Sequence, residues 1–340
     1  MPFPTFTAST TAEEVADGLA EQIHGKNVLI TGTSLNGIGF ETARTIAKHA
    51  NLVIITGYNS ERLKLSEETI RKDVPGANVR PLILDLSSLA AVRKAAEEVN
   101  AYPEPIHVLI HNAAHGGGPF QTTVDGFEIQ MATAHIGPFL LTKLIAPKLL
   151  ASDYIAHVVV VSSIAHSAGT SVNLDAVMEP KPEKYLNRSA YEEAKSANVL
   201  FAAELSRRSG GKIKAYSLHP GAVFTNIMQK ADNKTDLINM GVLNSEGRPN
   251  ESAIPFKTIG QGAATTVVAA FDPRIDAQPG SYLVDCIVAN EQVASHCKDP
   301  VRNLPFSLDV IVCVSPSSSQ DTAKKLWTVT EQAVDEKFTF

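Results

Sequence analysis

Tyr191 and Lys195 stand four residues apart in AYEEAKSANVLFAAEL. Such a stretch favours a helix, and that spacing puts both side chains on one face. A free phenol, with a pKa of about 10, is a poor acid–base group near neutrality. An ammonium beside it favours the phenolate, lowers that value and suits the pair to proton transfer. Alone, the pair equally describes two solvated residues on a helix surface. Its company raises its meaning. Val158 to Val161 form an apolar run that delivers Ser162 and Ser163 to the C-terminal end of a strand, where doubly wound sheets place ligands. Asn27 to Thr31 runs directly into Gly32-Thr-Ser-Leu-Asn-Gly37-Ile-Gly39 and a helix-like segment. Glycines at a first strand-to-helix turn let the backbone approach a pyrophosphate, and the helix N-terminus supplies free N–H donors and the positive end of its dipole. Outside that context the same glycines would require no more than a positive φ.

These residues need a scaffold, and the pattern supplies one. Short runs rich in Val, Ile and Leu recur at Asn27 to Thr31, Leu52 to Thr56, Val79 to Leu84, Ile106 to Ile110, His157 to Ser162 and Ile213 to Leu218. Each reads as a strand covered on both faces. Helix-like segments start between them near Gly37, Ser60, Ser88, Thr123 and Arg188, and this alternation implies right-handed crossovers and a parallel sheet. The expected fold is α/β, a doubly wound parallel sheet of Rossmann type, in a single domain with N- and C-terminal extensions. Residues 1–25 form the first extension: Thr10 with Glu13 reads as a capping box, and Val15, Leu19 and Ile23 recur at helical spacing, giving an amphipathic helix from Thr11 to Ile23. Residues 26–292 form the catalytic domain, with a polar, irregular substrate loop at 222–257. A helix from Thr258 to Phe271 and a strand from Ser281 to Val284 follow. Residues 293–340 are the second extension, ending in a helix from Asp321 to Glu336.

The chain has 340 residues, 44% of them hydrophobic and 19% charged, with a net charge of -6. That balance is globular, and the absence of a basic run argues against nucleic acid as a partner. The N-terminal stretch lacks the basic start and apolar run of a signal peptide, and no segment is long enough to span a bilayer, so the expectation is a cytoplasmic protein. Cys286, Cys297 and Cys313 lack CxxC spacing and read as reduced structural thiols. His111, His115, His135, His166 and His219 lack cysteine or carboxylate partners at ligand spacing, so no metal is expected.

With its ordered motifs TGTSLNGIG, LDLSS, HNAA, VVVSSIAH, YEEAK and HPGAVFT, the chain resembles the short-chain dehydrogenase/reductase family from about Lys26 to Val288, particularly its retinol-dehydrogenase-like members. The resemblance implies a nicotinamide cofactor. By it, Gly32, Gly37 and Gly39 approach the phosphates, with Ser34, Asn36 and Ile38 in the same turn. Asp85 hydrogen-bonds the adenine beside Leu86, and Asn112 and Ala113 line the cofactor floor. Ser163 orients the substrate oxygen, Tyr191 exchanges the proton, and Lys195 binds the nicotinamide ribose while depressing the tyrosine pKa. Pro220, Gly221, Val223 and Thr225 position the carboxamide. Ser162 takes the place of Ser163 if the register shifts by one. Read from the residues alone, Asp85 also suits a helix cap, and Asn112 also suits buried backbone groups in need of partners.

Three departures from the family pattern matter. The turn holds four residues between its first two glycines, Thr33 to Asn36, where the family has three, so it must bulge. The second strand ends in Thr56-Gly57-Tyr58-Asn59, without the acidic residue of NAD-preferring members. This removes repulsion against a 2′-phosphate, with Tyr58, Asn59, Arg62, Ser34 and Ser60 at hand, and NADP is the preferred cofactor over NAD. The family's catalytic asparagine aligns with Ala134 in MATAHIGPFLLT. Pro138, four residues on, has no N–H, which leaves the Ala134 carbonyl free to hold a water beside Lys195. A further stretch, CKDPVRNLPFSLDVIVCVSPSSSQ at 297–320, interrupts the strand-then-helix ending and reads as a β-hairpin or lid element.

The expected activity is hydride transfer between an alcohol and a ketone or aldehyde on an apolar small molecule. Phe224, Ile227, Met228, Leu237, Ile238, Met240, Leu243 and Phe256 in the substrate loop suit an apolar pocket and equally suit packing of the loop on the core. Two other readings share the fold: an NADP-binding or regulatory protein with weak catalysis, and a double-bond reductase or isomerase. The protein is expected as a monomer or a homodimer paired through the helices of the Tyr and Lys motif.

Overall fold

The computed structural model describes residues 3–169, 171–229, 231–298 and 318–340. Six strands rich in branched aliphatics alternate with helices: Asn27–Ile30 (β1), Leu52–Gly57 (β2), Val79–Ile83 (β3), Val108–His111 (β4), Ala156–Val161 (β5) and Ile213–His219 (β6). Short strands Ala222–Val223 (β7), Phe256–Lys257 (β8), Tyr282–Val284 (β9) and Ile287–Val288 (β10) follow. The main sheet has the order β10-β9-β6-β5-β4-β1-β2-β3. Its pairings are parallel except that of β10 with β9. Strand order reverses between β4 and β1, the place at which folds of this type bind ligands, at the C-terminal strand ends.

The helices are Ala12–Gly18 (α1), Ala20–Ile23 (α2), Ile38–Ile46 (α3), Ser60–Asp73 (α4), Leu89–Ala101 (α5), Ile129–Met131 (α6), Gly137–Leu144 (α7), Ala146–Leu149 (α8), Leu174–Met178 (α9), Asn187–Arg208 (α10), Asn226–Gln229 (α11), Ala231–Asn239 (α12), Ile259–Phe271 (α13) and Ser318–Val334 (α14). Strand side chains alternate between two cores, as a period of two requires. Leu29, Val158 and Val160 face the layer of α5, α7, α10 and α14. Val28, Ile30, Val159 and Val161 face α1, α3 and α13. Among the described residues no helix is long and apolar enough to cross a membrane.

Several boundaries differ from the sequence reading. The N-terminal capping box is Thr11 with Glu14: Glu14 accepts from the Thr11 amide at 2.7 Å and its own amide donates to Thr11 Oγ1 at 3.3 Å. Thr10 instead accepts from the Thr7 amide one turn earlier, and the helix breaks at Leu19 into α1 and α2. No helix starts at Thr123. Its hydroxyl closes a turn through Gly126, whose φ is +86°, and Thr122 bridges to Glu128, which caps α6. Residues 222–257, expected as an irregular loop, contain α11, α12 and the parallel pair β7–β8. The expected hairpin or lid at 297–320, like Cys313, lies almost wholly outside the described residues; Cys297 itself is buried beside α10, its thiol 3.9 Å from the Ser196 carbonyl.

Candidate active site

The glycine-turn, serine and Pro220–Thr225 residues follow the C-terminal ends of parallel strands, whereas Tyr191 and Lys195 lie on α10 and Ala134 on the turn before α7. The first group is the glycine turn between β1 and α3. Gly32 has φ +73°, and a side chain there would meet the backbone of Ala113 at 2.8 Å. A side chain at Gly39 would come closer still, against the Asn112 amide and 2.5 Å from the Gly32 carbonyl. The extra residue is absorbed by Asn36, which adopts a left-handed conformation with φ +58°, one of the few side chains tolerated there. Gly37 heads α3 with no side-chain cap, so the first N–H groups of a nine-residue helix are open to an anion. Ser34 and Asn36 are exposed around this opening and Ile38 is half-buried.

Asn112 and Thr31 tie the turn to β4. Asn112 Nδ2 donates to the carbonyls of Thr31 at 3.0 Å and Gly32 at 2.9 Å, while Thr31 Oγ1 accepts from the amides of Asn112 and Ala113, both at 3.1 Å. The side chain of Asn112 is thus spent on the scaffold. Thr33 adds a tie to β2, its hydroxyl donating to the Thr56 carbonyl at 3.1 Å.

Towards the sheet edge, Asn59 Oδ1 caps α4 by accepting from the Arg62 amide at 2.9 Å. Tyr58 is 66% exposed, and the exposed Arg62 side chain has no partner among the described residues. Asp85 does not cap α5; Ser88 does. Asp85 Oδ1 accepts from Ser87 through its amide at 2.9 Å and its hydroxyl at 2.6 Å, an Asx turn that leaves Oδ2 uncommitted. Leu86 is buried, and its carbonyl presses against Gly137 so closely that no Cβ fits there.

The second group surrounds β5. Ser163 follows the strand and accepts from the Ala165 amide at 3.2 Å, and its side chain lies close to the Tyr191 phenol. Ser162 is buried and donates to the Lys195 carbonyl at 2.7 Å, so the structure selects Ser163 as the serine facing the tyrosine. Lys195 is buried, with Nζ donating to the Val161 carbonyl at 3.0 Å and lying 5.6 Å from the Tyr191 ring centre. Burial pushes its ammonium down to about 8. Burial raises the Tyr191 phenol, against the Ser163 hydrogen bond that lowers it. In the free protein the loss of water therefore outweighs the contact with Ser163.

Asn198, which the sequence reading passed over, lies one turn after Lys195 and also donates to the Val161 carbonyl, at 3.1 Å. Its Oδ1 is buried with no partner among the described residues. The i, i+3 spacing from Lys195 was the available signal.

Pro220 is buried after β6, and half-buried Gly221, with φ +90°, lies against the Lys257 side chain. Val223 packs on Gly262 of α13, and Thr225 is buried. The next residue, Asn226, reaches across to the glycine turn and donates to the Leu35 carbonyl at 2.7 Å. Burial, aided by Lys257, holds the imidazole of His219 near 4, and its Nδ1 accepts from the Ile164 amide at 3.1 Å.

Packed on α10 through His135 against Phe201, Ala132–Ile136 form a π-turn, closed by the Gly137 amide on the Ala132 carbonyl. Ala134 sits within it, buried. Pro138 cannot offer Ala134 the N–H of a regular helix. Wide turns of this kind occur often at functional sites.

A strand-order reversal, an uncapped helix N-terminus over close-packed glycines, and Ser163 after β5 near Tyr191 and Lys195 of α10 fit a dinucleotide beside an acid–base group. Residues 26–236 match the family model for short chain dehydrogenase, and the chain belongs to that family. It is 34% identical to short-chain dehydrogenase TIC 32 B, chloroplastic, of Brassica napus over 83% of this chain and 87% of that one. It is 35% identical to the WW domain-containing oxidoreductase of Danio rerio, covering 98% of this chain and 74% of the relative. Identity to retinol dehydrogenase 12 of Mus musculus is 35%, over 78% and 79%, so the expected kinship with retinol-dehydrogenase-like members holds. An uncharacterized protein from Mycobacterium Paratuberculosis shares the fold with a TM-score of 0.63 and 27% identity, over 94% of this chain and 98% of that chain.

Proposed function

We propose that this short-chain dehydrogenase is an NADP(H)-dependent oxidoreductase that interconverts an alcohol and a ketone or aldehyde on an apolar small molecule. The observation that carries the reading is the Ser163 side chain set close to Tyr191 beside buried Lys195, at the edge where the glycine turn opens. The bound nicotinamide supplies or accepts the hydride. Ser163 orients the substrate oxygen, and the Tyr191 hydroxyl gives that oxygen a proton or removes one. Lys195 holds the nicotinamide ribose and, when charged, favours the phenolate. The Ala134 carbonyl holds a water behind Lys195 that passes the proton outward.

Gly32, Gly37, Gly39 and the open end of α3 cradle the phosphates, Asp85 takes the adenine through its uncommitted oxygen, and Pro220 to Thr225 meet the carboxamide. Arg62 and Tyr58 favour NADP: one offers an unpaired cation and the other leaves no carboxylate to repel a 2′-phosphate. The apolar side chains of residues 222–257 form the substrate wall within a catalytic domain of residues 26–292. We read the protein as a cytoplasmic monomer. Free, buried Cys286 and Cys297 suit a reducing compartment, and α14 covers the outer side of α10, where a partner would otherwise pack.

The test is a panel of apolar ketones and aldehydes with NADPH and NADH, with products identified. We expect turnover preferring NADPH and a fall of about 10²–10⁴-fold in kcat for Tyr191→Phe, with the NADPH Kd kept. Turnover indifferent to Tyr191, or a preference for NADH, overturns the corresponding part. A second reading, a cofactor-binding protein with weak catalysis, is favoured by Ala134 and by the hold of the Val161 carbonyl on Lys195. Tight NADPH binding with no carbonyl turned over would establish it.

A further inference from the structure

The π-turn Ala132–Ile136 has only a methyl group at position 134, with no polar side chain to hold it, and Pro138 explains only which donor is missing, not which way the helix turns. A wide turn is normally unfavourable and persists where its surroundings enforce it. On one side the enforcing contact is Gly137 against the Leu86 carbonyl. On the other it comes from the far end of the chain. His135 Nε2 lies 2.8 Å from Thr330 Oγ1 on α14, and both side chains are buried. Thr330 Oγ1 gives its own proton to the Leu326 carbonyl at 2.7 Å, so it must accept from His135, which fixes the proton on Nε2. The imidazole is wedged between the rings of Phe139 and Phe201, 6.3 and 5.8 Å away.

Thr330 cannot drift, because its helix is locked. Trp327 sits edge-on to Phe139 at 4.8 Å and stacks on Phe338 at 5.1 Å. Arg93 donates to the Val334 carbonyl at 2.9 Å, and Glu336 pairs with Arg93 and Lys143.

We propose that Thr330 and His135 are positioning residues: through their hydrogen bond, the C-terminal helix holds the π-turn in the shape that leaves the Ala134 carbonyl available behind Lys195. This rests on the water-relay role given to Ala134 above. The brace takes over, from 195 residues away in sequence, a turn that position 134 no longer holds by its own side chain.

Thr330→Val keeps the shape of the side chain and removes the acceptor; Thr330→Ser keeps the acceptor, and His135→Gln keeps a donor at similar reach. Two readouts are needed, amide hydrogen exchange at Gly137, whose N–H closes the turn, and steady-state kinetics with NADPH. Thr330→Val is expected to speed Gly137 exchange and lower kcat, each by about tenfold, with KM within about twofold. Thr330→Ser and His135→Gln should restore both. Unchanged Gly137 exchange in Thr330→Val overturns the brace, and faster exchange with kcat intact overturns its link to catalysis. If the unmodified protein turns over no carbonyl, the catalytic reading fails by itself, and Gly137 exchange still decides whether α14 holds the turn.

Discussion

The two terminal helices dock on opposite layers of one sheet, and different forces hold them. Helix α1 lies across α3 and α13 with Val15 and Leu19 buried. Its polar ties sit at the surface: Glu13 to Arg44 at 2.7 Å and to Lys48, and Asp17 to His49 at 2.9 Å. These fall on the C-terminal end of α3, the end remote from the glycine turn. Helix α14 docks through Trp327, Thr330 and the returning Phe338, all buried, on α7, α10 and the π-turn. One extension thickens a layer, whereas the other touches the π-turn that contains Ala134. Similar amphipathic segments therefore differ in consequence, because their partners differ in distance from the chemistry.

The largest test of that contrast is Trp327→Ala. Removing a fully buried indole should cost about 3–5 kcal/mol in denaturant unfolding and lower kcat as well, since α14 loosens beside the π-turn. Full activity in a folded, destabilised variant would break the contrast.

Acid should distinguish the two layers next. His111 and His135 are buried on the α14 side, and burial, joined for His111 by the neighbouring His135, holds both near 3. The unfolded chain protonates them near 6.5 while the folded one does not. Stability is thus complete above about 6.5 and falls as pH drops towards 3, by about 1.4 kcal/mol per pH unit for each histidine. Unfolding free energies measured between pH 7 and 5 should show this slope, and His135→Gln should reduce it. An unaltered slope would mean that other groups govern acid stability.

The smallest effect belongs to the N-terminal layer. Hydrogen bonds from Lys48 and Arg44 lower the Glu13 carboxyl to about 2, but its side chain is 43% exposed. Screening by water limits Glu13→Gln to about 0.2–1 kcal/mol, vanishing at high salt, with kcat untouched. A larger, salt-independent loss in thermal unfolding would show that α1 matters more than its exposure implies.

Much of the scaffold was legible in the sequence because the signals are local. Runs such as HVVVV and LVIIT read as buried parallel strands, and the glycine turn, the serines after β5 and the Tyr191–Lys195 spacing were recognisable within a few residues of chain. Errors arose where local signals tied. Thr10-Thr11 and Glu13-Glu14 offer the capping-box spacing twice, and the turn at Thr7 consumed the first threonine. Val124 and Phe127 mimic a helical start that Gly126 turns aside. Asn112 had two equally good roles, and its side chain serves the scaffold. Other features had no local trace: the tie from Asn226 to Leu35, the shared acceptor of Lys195 and Asn198, and the contact of Thr330 with His135.

By itself the sequence determined the class of fold, the order of the elements, the family and which residues could meet a nicotinamide cofactor, since periodicity, turn chemistry and short motifs are written in neighbouring residues. Tertiary structure alone decided that Ser163 rather than Ser162 faces Tyr191, that burial raises the phenol before any cofactor arrives, and that the C-terminal helix backs the π-turn at Ala134. Those outcomes depend on which groups lose water and which distant side chains meet. Both are properties of the packed chain, not of any segment within it.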